Sequence, residues 1–317
     1  MPELPEVETV RRGLAQWLPG KKITEVLVLH PRATNSRSIA PLTQLSGARI
    51  ETIQRRGKFL WFTLNRPYVV LAHLGMSGQF LIEQRSSQPS SHTRVRFTVN
   101  DRRRELRFID QRTFGWIALD SLTDGAPTSI NHIARDIFDP YFRRDDIVEN
   151  LRMRSTSIKA ALLNQEIMSG VGNIYADESL WQAEIHPERV ASSLSSKDIS
   201  RLMDCVKTVM SQALDVGGTS FDDLYINVNG ESGYFDVELS AYGQEGEPCP
   251  RCGTEIKRIA FANRSSHFCP KCQRKPRVKK HLATRRKTSS HTRKTPTVNG
   301  KNDGKRAKSA ERARHPR

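Results

Sequence analysis

The sequence has no long hydrophobic run: none approaches the roughly 18 consecutive apolar residues of a membrane-spanning helix. Its first six residues, MPELPE, have neither the basic start nor the apolar stretch of a secretory signal peptide. Cysteine is scarce, with five among 317 residues, which is too few for a disulfide scaffold in a chain of this length. These absences argue against secretion, membrane insertion and a disulfide framework, so we expect a cytoplasmic protein.

The basic residues are concentrated at one end of the chain. The sequence has 51 Lys and Arg against 34 Asp and Glu, a formal net charge of +17. Residues 276–317 hold 15 of the basic residues and two acids, which leaves a net charge of +4 for residues 1–275. Because residues 276–317 contain almost no large apolar side chains, burial cannot offset the entropy lost on ordering them. We therefore expect a disordered basic tail that adds non-specific affinity for nucleic acid.

Apolar periodicity divides the rest of the sequence into three parts. Val7, Val10 and Leu14 recur at helical spacing, which predicts a helix over 5–18. Seven short segments rich in β-branched and aromatic residues follow, a pattern typical of a β-sandwich or barrel. These segments are 23–29, 48–54, 58–64, 68–74, 93–99, 105–110 and 116–120. Beyond about residue 130, the pattern predicts helices and then a cysteine-bearing hairpin; the ranges are 158–168, 173–183, 197–214 and 245–274.

Four of the five cysteines form two pairs with the spacing of a metal site. Cys249 and Cys252 make one C-x2-C pair, and Cys269 and Cys272 make the second, with 16 residues between the pairs. Two such pairs, brought together by a hairpin, supply the four thiolates of a closed tetrahedral zinc site. Such a site stabilises a fold and leaves no coordination position for catalysis. Two disulfides or unliganded thiols are the alternative, and the spacing favours one structural Zn2+.

Proline at position 2 has a chemical consequence. If the initiator Met1 is removed, Pro2 carries a free secondary amine, and an α-amino group has a pKa of about 7.7–8.0. Part of it is then an unprotonated nucleophile at neutral pH, able to attack an aldehydic carbon and form an iminium. The adjacent Glu3 could serve as acid or base. Composition alone favours the simpler interpretation, in which Pro2 and Glu3 only begin a helix.

Several longer motifs occur together, in order, along residues 1–275. They are 1–14 (MPELPEVETVRRGL), 54–58 (QRRGK), 73–78 (HLGMSG), 170–178 (GVGNIYADE), 217–219 (GGT), 229–235 (NGESGYF) and the closing cysteine quartet. Together they resemble bacterial formamidopyrimidine-DNA glycosylases, which remove 8-oxoguanine from DNA and cleave the strand at abasic sites. The number of independent motifs in register makes this resemblance highly specific.

The resemblance implies an α+β multidomain fold. An N-terminal β-sandwich with a flanking helix is expected, followed by a helical domain of the helix–two-turn–helix type and a β-hairpin zinc finger. The expected ranges are 1–130 for the catalytic β-sandwich, 131–235 for the helix–two-turn–helix DNA-binding domain, 240–274 for the four-cysteine zinc finger and 276–317 for the disordered basic tail. Thr219–Tyr225 matches the region that covers the extruded base in the family.

The resemblance also implies four catalytic residues. Pro2 is the expected Schiff-base nucleophile at the sugar C1′, and Glu3 is the proton donor that opens the deoxyribose. Lys58 matches the family's proton donor for β-elimination; the alternative is a surface lysine that touches phosphate. Arg264, five residues before the third cysteine, matches a zinc-finger arginine that contacts phosphate and assists δ-elimination. For Arg264 the alternative is a solvated arginine on a hairpin.

A glycosylase must extrude the damaged nucleotide and fill the space that it leaves. By resemblance, Met76, Arg112 and Phe114 form this void-filling set, an apolar wedge plus a cation. Gln111 stands where the family usually has proline, and Met76 taken alone would more often be a core residue. The other DNA contacts that the resemblance implies are His92, Arg154 and Asn173.

These features predict a base-excision-repair DNA glycosylase that removes oxidised purines from duplex DNA and cleaves the strand by β,δ-elimination. An endonuclease VIII-like glycosylase for oxidised pyrimidines is the alternative within the family, and Leu4 with residues 7–9 favours the first. A non-catalytic zinc-finger DNA-binding protein is the alternative from another class; Pro2, Glu3 and Lys58 together argue against it. The expected partner is double-stranded DNA with oxidised bases or abasic sites. We expect a monomer that is cytoplasmic, nucleoid-associated and not bound to a membrane.

Overall fold

The computed structural model describes residues 2–34, 36, 38–217, 228 and 239–275. The predicted basic tail and the segment Thr219–Tyr225 lie outside these residues. Helix α1 (Leu4–Trp17) opens the chain, and two antiparallel sheets follow it. In spatial order, the first sheet consists of β1 (Ile23–Val28), β6 (Thr93–Val99), β7 (Arg104–Asp110) and β5 (Gly78–Gln84). The second consists of β2 (Ile50–Arg56), β3 (Phe59–Leu64), β4 (Tyr68–His73), β8 (Trp116–Thr123) and β9 (Ala126–Pro127).

The two sheets enclose one hydrophobic core. Along β3, Leu60 and Phe62 are buried in this core, because alternate side chains of a strand lie on opposite faces. Trp61, between them, packs instead with Ile130 and Ile133 in a separate cluster. The apolar stripe of α1 completes the core with Val7, Val10 and Leu14. The predicted β-sandwich with its flanking helix is confirmed.

The next part of the described chain is helical. It contains α2 (Arg144–Arg152), α3 (Ile158–Leu163), α4 (Asn173–Gln182) and α5 (Ser196–Asp215), which bury their apolar faces in a second core. Leu4, at the start of α1, belongs to this second core, so the N-terminal segment joins the two halves. An antiparallel hairpin of β10 (Lys257–Phe261) and β11 (Arg264–Phe268) follows. Of the helices in the described part of the chain, none is long and apolar enough to cross a membrane.

Two elements differ from the sequence patterns. The helix predicted over 158–168 is wrong beyond Leu163, because Asn164 adopts an extended conformation and its side-chain oxygen accepts the Glu166 N–H at 2.9 Å. Strand β5 and helix α2 were not predicted. Strand β5 follows directly on the 73–78 motif and lies at an edge of its sheet, and α2 is strongly polar, with Leu151 as its one buried residue.

Candidate active site

The carboxylate of Glu3 lies at the amino end of α4. Its Oε2 accepts a hydrogen bond from the Gly172 N–H at 2.7 Å, and its Oε1 accepts one from the Ile174 N–H at 2.9 Å. The Tyr175 N–H donates to Oε2 at 3.4 Å. Such N–H groups have no partner within their own helix and favour a negative charge. A Cβ on residue 172 would collide with the Glu3 carboxylate, so the close approach requires the glycine.

The pKa of Glu3 is shifted toward neutral pH. Its side chain is 2% exposed. Burial and the neighbouring Glu6 raise its pKa, whereas Lys58 and two backbone N–H groups lower it, and the result is a rise from 4.5 to about 6. Glu6 is itself fixed, because its carboxylate accepts the Glu3 N–H at 2.8 Å and the Tyr175 hydroxyl at 2.7 Å. Glu3 is therefore suited to general acid chemistry near neutral pH.

Lys58 lies in the turn between β2 and β3 and reaches the same loop. Its Nζ donates to the Val171 carbonyl at 3.0 Å, and the residue is 8% exposed. Burial lowers the pKa of Lys58; the charge of Arg264 adds to this effect, and that of Glu3 opposes it. A lysine with a lowered pKa exchanges protons more readily at neutral pH. Because Lys58 is buried, it does not fit the alternative interpretation as a surface lysine that touches phosphate.

Pro2 is buried and directly precedes Glu3. The Leu4 N–H donates to the Gly170 carbonyl at 3.1 Å, so residues 2–4 lie against the loop that also contacts Lys58. The fold thus brings Pro2, Glu3 and Lys58 to one backbone loop, residues 170–172.

Arg264 begins strand β11 and is exposed to solvent. It is close enough to the loop for its charge to lower the pKa of Lys58. An exposed guanidinium on a braced hairpin can bind a phosphate through two parallel hydrogen bonds. All four predicted catalytic residues therefore belong to one region of the molecule.

A buried ion pair, not found from the sequence, anchors the hairpin to the helical core. Lys159 Nζ lies 2.7 Å from Asp177 Oδ1, and both side chains are fully buried. Lys159 also donates to the Ser265 carbonyl at 3.0 Å, and Asp177 accepts the Ser266 hydroxyl at 2.8 Å. Charged residues are rarely buried unless they are paired with an opposite charge. A lysine in one apolar helix and an aspartate in another could therefore have indicated a buried ion pair from the sequence.

The predicted void-filling residues lie together on exposed loops. Met76 and Phe114 are 38% and 60% exposed, unusual values for large apolar side chains. Arg112 is exposed, and its Nη1 lies 4.0 Å from Met76 Sδ. Solvated apolar side chains beside a cation are suited to entering the stack of a duplex.

The loop that presents Arg112 and Phe114 is fixed by a buried carboxylate. Asp110 accepts hydrogen bonds from the Ser77 hydroxyl at 2.5 Å, the Gly115 N–H at 2.7 Å and the Arg112 N–H at 3.2 Å. These bonds restrain both ends of the loop, although Gln111 replaces the usual proline.

His92 and Asn173 lie beside the site, and Arg154 lies at the end of α2. The His92 carbonyl accepts the Asp110 N–H at 2.9 Å, which places His92 next to the Arg112 loop. Asn173 is the first residue of α4, and its Nδ2 donates to a β11 carbonyl at 3.1 Å. Arg154 follows α2, and its Nε donates to the Asn150 side chain at 3.0 Å.

The four paired cysteines converge on one point. Their sulfur atoms all lie within 4.8 Å of one another. Tetrahedral zinc with Zn–S bonds of about 2.3 Å requires sulfurs roughly 3.8 Å apart, so a small adjustment accommodates the ion. The Trp181 Nε1 donates to Cys249 Sγ at 3.4 Å, which favours a thiolate there. The quartet is one structural zinc site, as predicted from its spacing.

Three family models match the chain in succession. The formamidopyrimidine-DNA glycosylase N-terminal domain matches residues 1–117, and the formamidopyrimidine-DNA glycosylase H2TH domain matches 133–224. The zinc finger found in FPG and IleRS matches 246–274. Their order is that of the sandwich, the helical core and the cysteine hairpin.

Whole proteins are similar over most of the chain. The formamidopyrimidine-DNA glycosylases of Streptomyces coelicolor and Salinispora arenicola are 52% and 51% identical, over 88% and 87% of this chain and 99% and 98% of their own. The solved Lactococcus lactis Fpg, complexed with an abasic site containing DNA, is 34% identical with a TM-score of 0.75, over 86% of this chain and 100% of its own. The solved MutM (Fpg) of Thermus thermophilus is 35% identical with a TM-score of 0.76, over 86% of this chain and 98% of its own. This chain belongs to the formamidopyrimidine-DNA glycosylase family.

Proposed function

We propose that this protein is a base-excision-repair DNA glycosylase that removes oxidised purines, 8-oxoguanine and formamidopyrimidines, from duplex DNA, and that it is also an AP lyase. One observation carries the proposal: Glu3, buried with a pKa of about 6, directly follows Pro2 and shares a loop with Lys58. A protein that only binds DNA has no use for a buried proton donor beside a nucleophile.

Pro2 supplies the nucleophile once Met1 has been removed. Its nitrogen forms a bond to C1′ while the bond from C1′ to the damaged base breaks. The base leaves with the bonding electrons, and the proton that the Pro2 nitrogen loses balances the proton that the base takes up. Glu3 gives its proton to the ring oxygen O4′, which opens the sugar and leaves an iminium between Pro2 and C1′. The N–H groups at the start of α4 stabilise the Glu3 carboxylate that results.

Lys58 acts around the excised base and the sugar, and Arg264 acts in strand cleavage. A proton leaves C2′ as the 3′ phosphate departs, which is the β-elimination. A proton then leaves C4′ as the 5′ phosphate departs, which is the δ-elimination, and water hydrolyses the iminium to release the sugar fragment from Pro2. Lys58, whose pKa is lowered by burial, exchanges protons with the base and sugar. The exposed Arg264 guanidinium holds a phosphate and offsets its charge as it leaves.

Relatives with solved structures support damaged duplex DNA as the partner. One is the Lactococcus lactis protein with an abasic site containing DNA, and another is MutM in complex with carbocyclic 8-oxo-G containing DNA. We propose a monomer acting in the cytoplasm on the nucleoid, away from membranes. Its domains are assigned to 1–130, 131–235 and 240–274, followed by the tail 276–317. The proposed DNA contacts are Met76, His92, Arg112, Phe114, Arg154 and Asn173.

Borohydride trapping on a duplex with a preformed abasic site tests the nucleophile. We expect the wild-type protein to form a covalent adduct, and peptide mass mapping to place the reduced linkage on Pro2. Pro2→Gly, which lacks the secondary amine, should lose most of the adduct and of the strand cleavage. An adduct mapped to Lys58, or an absence of adduct in wild type, would refute the assignment.

Parallel assays on two substrates test the division of labour between the amines. Lys58→Ala should slow removal of 8-oxoguanine while largely preserving cleavage of a preformed abasic site, because Pro2 is still present. Equal loss on both substrates would contradict this role of Lys58. Preference for a duplex with an oxidised pyrimidine over one with 8-oxoguanine would favour the endonuclease VIII-like alternative.

A further inference from the structure

The 170–172 loop contacts both residues proposed to transfer protons. Its Gly172 N–H donates to the Glu3 carboxylate at 2.7 Å, and its Val171 carbonyl accepts the Lys58 ammonium at 3.0 Å. Two of its three residues are glycines, which leave a backbone little intrinsic stiffness. The Leu4 N–H holds the Gly170 carbonyl, and a side chain that bonds the same loop would restrain it further.

Gln165 makes three hydrogen bonds in and around this loop. Its Nε2 donates to the Val171 carbonyl and to the Leu163 carbonyl, both at 2.9 Å. Its Oε1 accepts the Gly170 N–H at 2.9 Å. The Val171 carbonyl thus accepts from Gln165 and from Lys58 at the same time.

The chemistry of an amide side chain matches these three partners. Two carbonyls require donors and one N–H requires an acceptor, and a glutamine side chain provides both. A carboxylate would lack the donors, and an ammonium group would lack the acceptor. The main chain of Gln165 is held as well, because its carbonyl accepts the Ala134 N–H at 2.9 Å.

We propose that Gln165 is a positioning residue of the active site. By holding the Val171 carbonyl it fixes the place of the Lys58 ammonium, and by holding Gly170 it fixes the loop on which the Glu3 carboxylate rests. This inference depends on the proposed function, in which Glu3 and Lys58 transfer protons. Gln165 acts through the loop and not on the DNA, so it governs the chemical step and not DNA affinity.

Kinetics of 8-oxoguanine removal test the proposal. Gln165→Ala removes all three bonds and should lower kcat by roughly tenfold to a hundredfold, with KM for DNA within about twofold of wild type. The matched control is Gln16→Ala, since Gln16 is an exposed glutamine on α1. It should retain the wild-type kcat and KM.

The pH profile of kcat separates positioning from simple support of the fold. Gln165→Glu can keep the bond from Gly170, but it places a negative charge near the carbonyl that holds Lys58. An added carboxylate at this range favours the charged amine, so the limb set by Lys58 should move to higher pH by about one unit. The charged groups that already influence Lys58 are Glu3 and Glu6, which oppose loss of its proton, and Arg264, which favours it.

Each outcome decides the inference. Wild-type kcat in both Gln165 variants would overturn it, and so would an equal loss at every pH together with a raised KM. If Gln165→Ala does not fold, Gln165→Glu, which is close to glutamine in size, decides alone. A wild-type protein that does not remove 8-oxoguanine would instead refute the proposed function, so the two failures are distinguishable.

Discussion

Glu3 and Lys58 share one physical condition, burial, and it shifts their pKa values in opposite directions. Burial raises the pKa of Glu3 to about 6 and lowers that of Lys58, because a poorly solvated site favours the neutral form of each group. Burial therefore moves the pKa values of the two groups toward each other. Proton exchange with a substrate is most efficient when the pKa of the group lies near the working pH.

The raised pKa of Glu3 predicts a pH-dependent part of the free energy of unfolding. Because the folded pKa of about 6 lies above the ordinary 4.5, the folded state binds the proton more tightly. Glu3 then contributes stability that is complete below about pH 4.5 and is lost as the pH rises through about 6. The difference corresponds to about 2 kcal/mol.

Denaturant unfolding of wild type and Glu3→Gln, between about pH 4.5 and 7.5, measures this contribution. Glutamine does not titrate, so the wild type should lose about 2 kcal/mol relative to the variant across that range. Titrating groups away from Glu3 are common to both proteins and cancel in the comparison. A difference that is constant with pH would contradict the shifted pKa.

At the scale of elements, α1 has a glycine in its interior. Alanine at position 13 would favour the helix by about 1 kcal/mol. A Cβ there, however, would collide with Cγ2 of Val228, which is 4% exposed and belongs to the sandwich core. The Val228 carbonyl also accepts the Ile82 N–H at 2.8 Å. Gly13 therefore provides the space in which Val228 packs against the helix and the sheet.

Gly13→Ala should accordingly lower the free energy of unfolding, by about 1 kcal/mol, since overpacking outweighs the gain in helix propensity. Gly13→Ala combined with Val228→Ala should recover stability relative to Val228→Ala alone, because the colliding methyl group is gone. Thermal and denaturant unfolding of the three variants measure the effect. Stabilisation by Gly13→Ala alone would show that Val228 does not pack there.

At the scale of the whole molecule, the site draws on all parts of the described fold. Lys58 comes from the sandwich, the 170–172 loop from the helical core, and Arg264 from the hairpin that the cysteines close. The Lys159–Asp177 pair and the zinc site brace that hairpin from two sides. The zinc site contains none of the proposed catalytic residues, but it supports the hairpin that carries Arg264. We therefore expect DNA affinity to depend on the bound zinc.

Cys249→Ser should release zinc and loosen the hairpin that presents Arg264. We expect weaker DNA binding, with little change in the ratio of activities on different lesions, because the Glu3–Lys58 region is held separately. Zinc content and DNA affinity are the measurements, and Cys205→Ser, the cysteine outside the quartet, is the matched control. Full DNA affinity after zinc removal would contradict this prediction.

The basic tail is predicted to affect the affinity for DNA and not base excision itself. Each Lys or Arg that neutralises a phosphate should steepen the dependence of log Kd on log salt concentration by about one unit. Truncation after residue 275 should therefore flatten this dependence and preserve base excision at low salt. Loss of excision at low salt would mean that the tail contributes to the site itself.

Features that depend on short spacing could be predicted from the sequence alone. The cysteine pairs specify zinc because four thiolates at that spacing suit a tetrahedral ion. Helix α1 follows from an apolar periodicity of about 3.6 residues, and the strands around Leu60 follow from their β-branched and aromatic composition. The motifs along residues 1–275, which include Pro2, Glu3 and Lys58, were together sufficient to predict the family. Elements with weak periodicity, such as α2 and the edge strand β5, were missed for the same reason.

Tertiary packing determines which groups meet and how their pKa values shift. Glu3 and Gly172 are 169 residues apart, and Lys58 and Val171 are 113 apart, so no local pattern connects them. Gln165 has nothing in its neighbouring sequence that marks it as a partner of the loop. Hydrogen bonds and desolvation arise from packing, which brings distant segments together and excludes water. Sequence motifs predict the reactive groups, and packing sets their pKa values and positions.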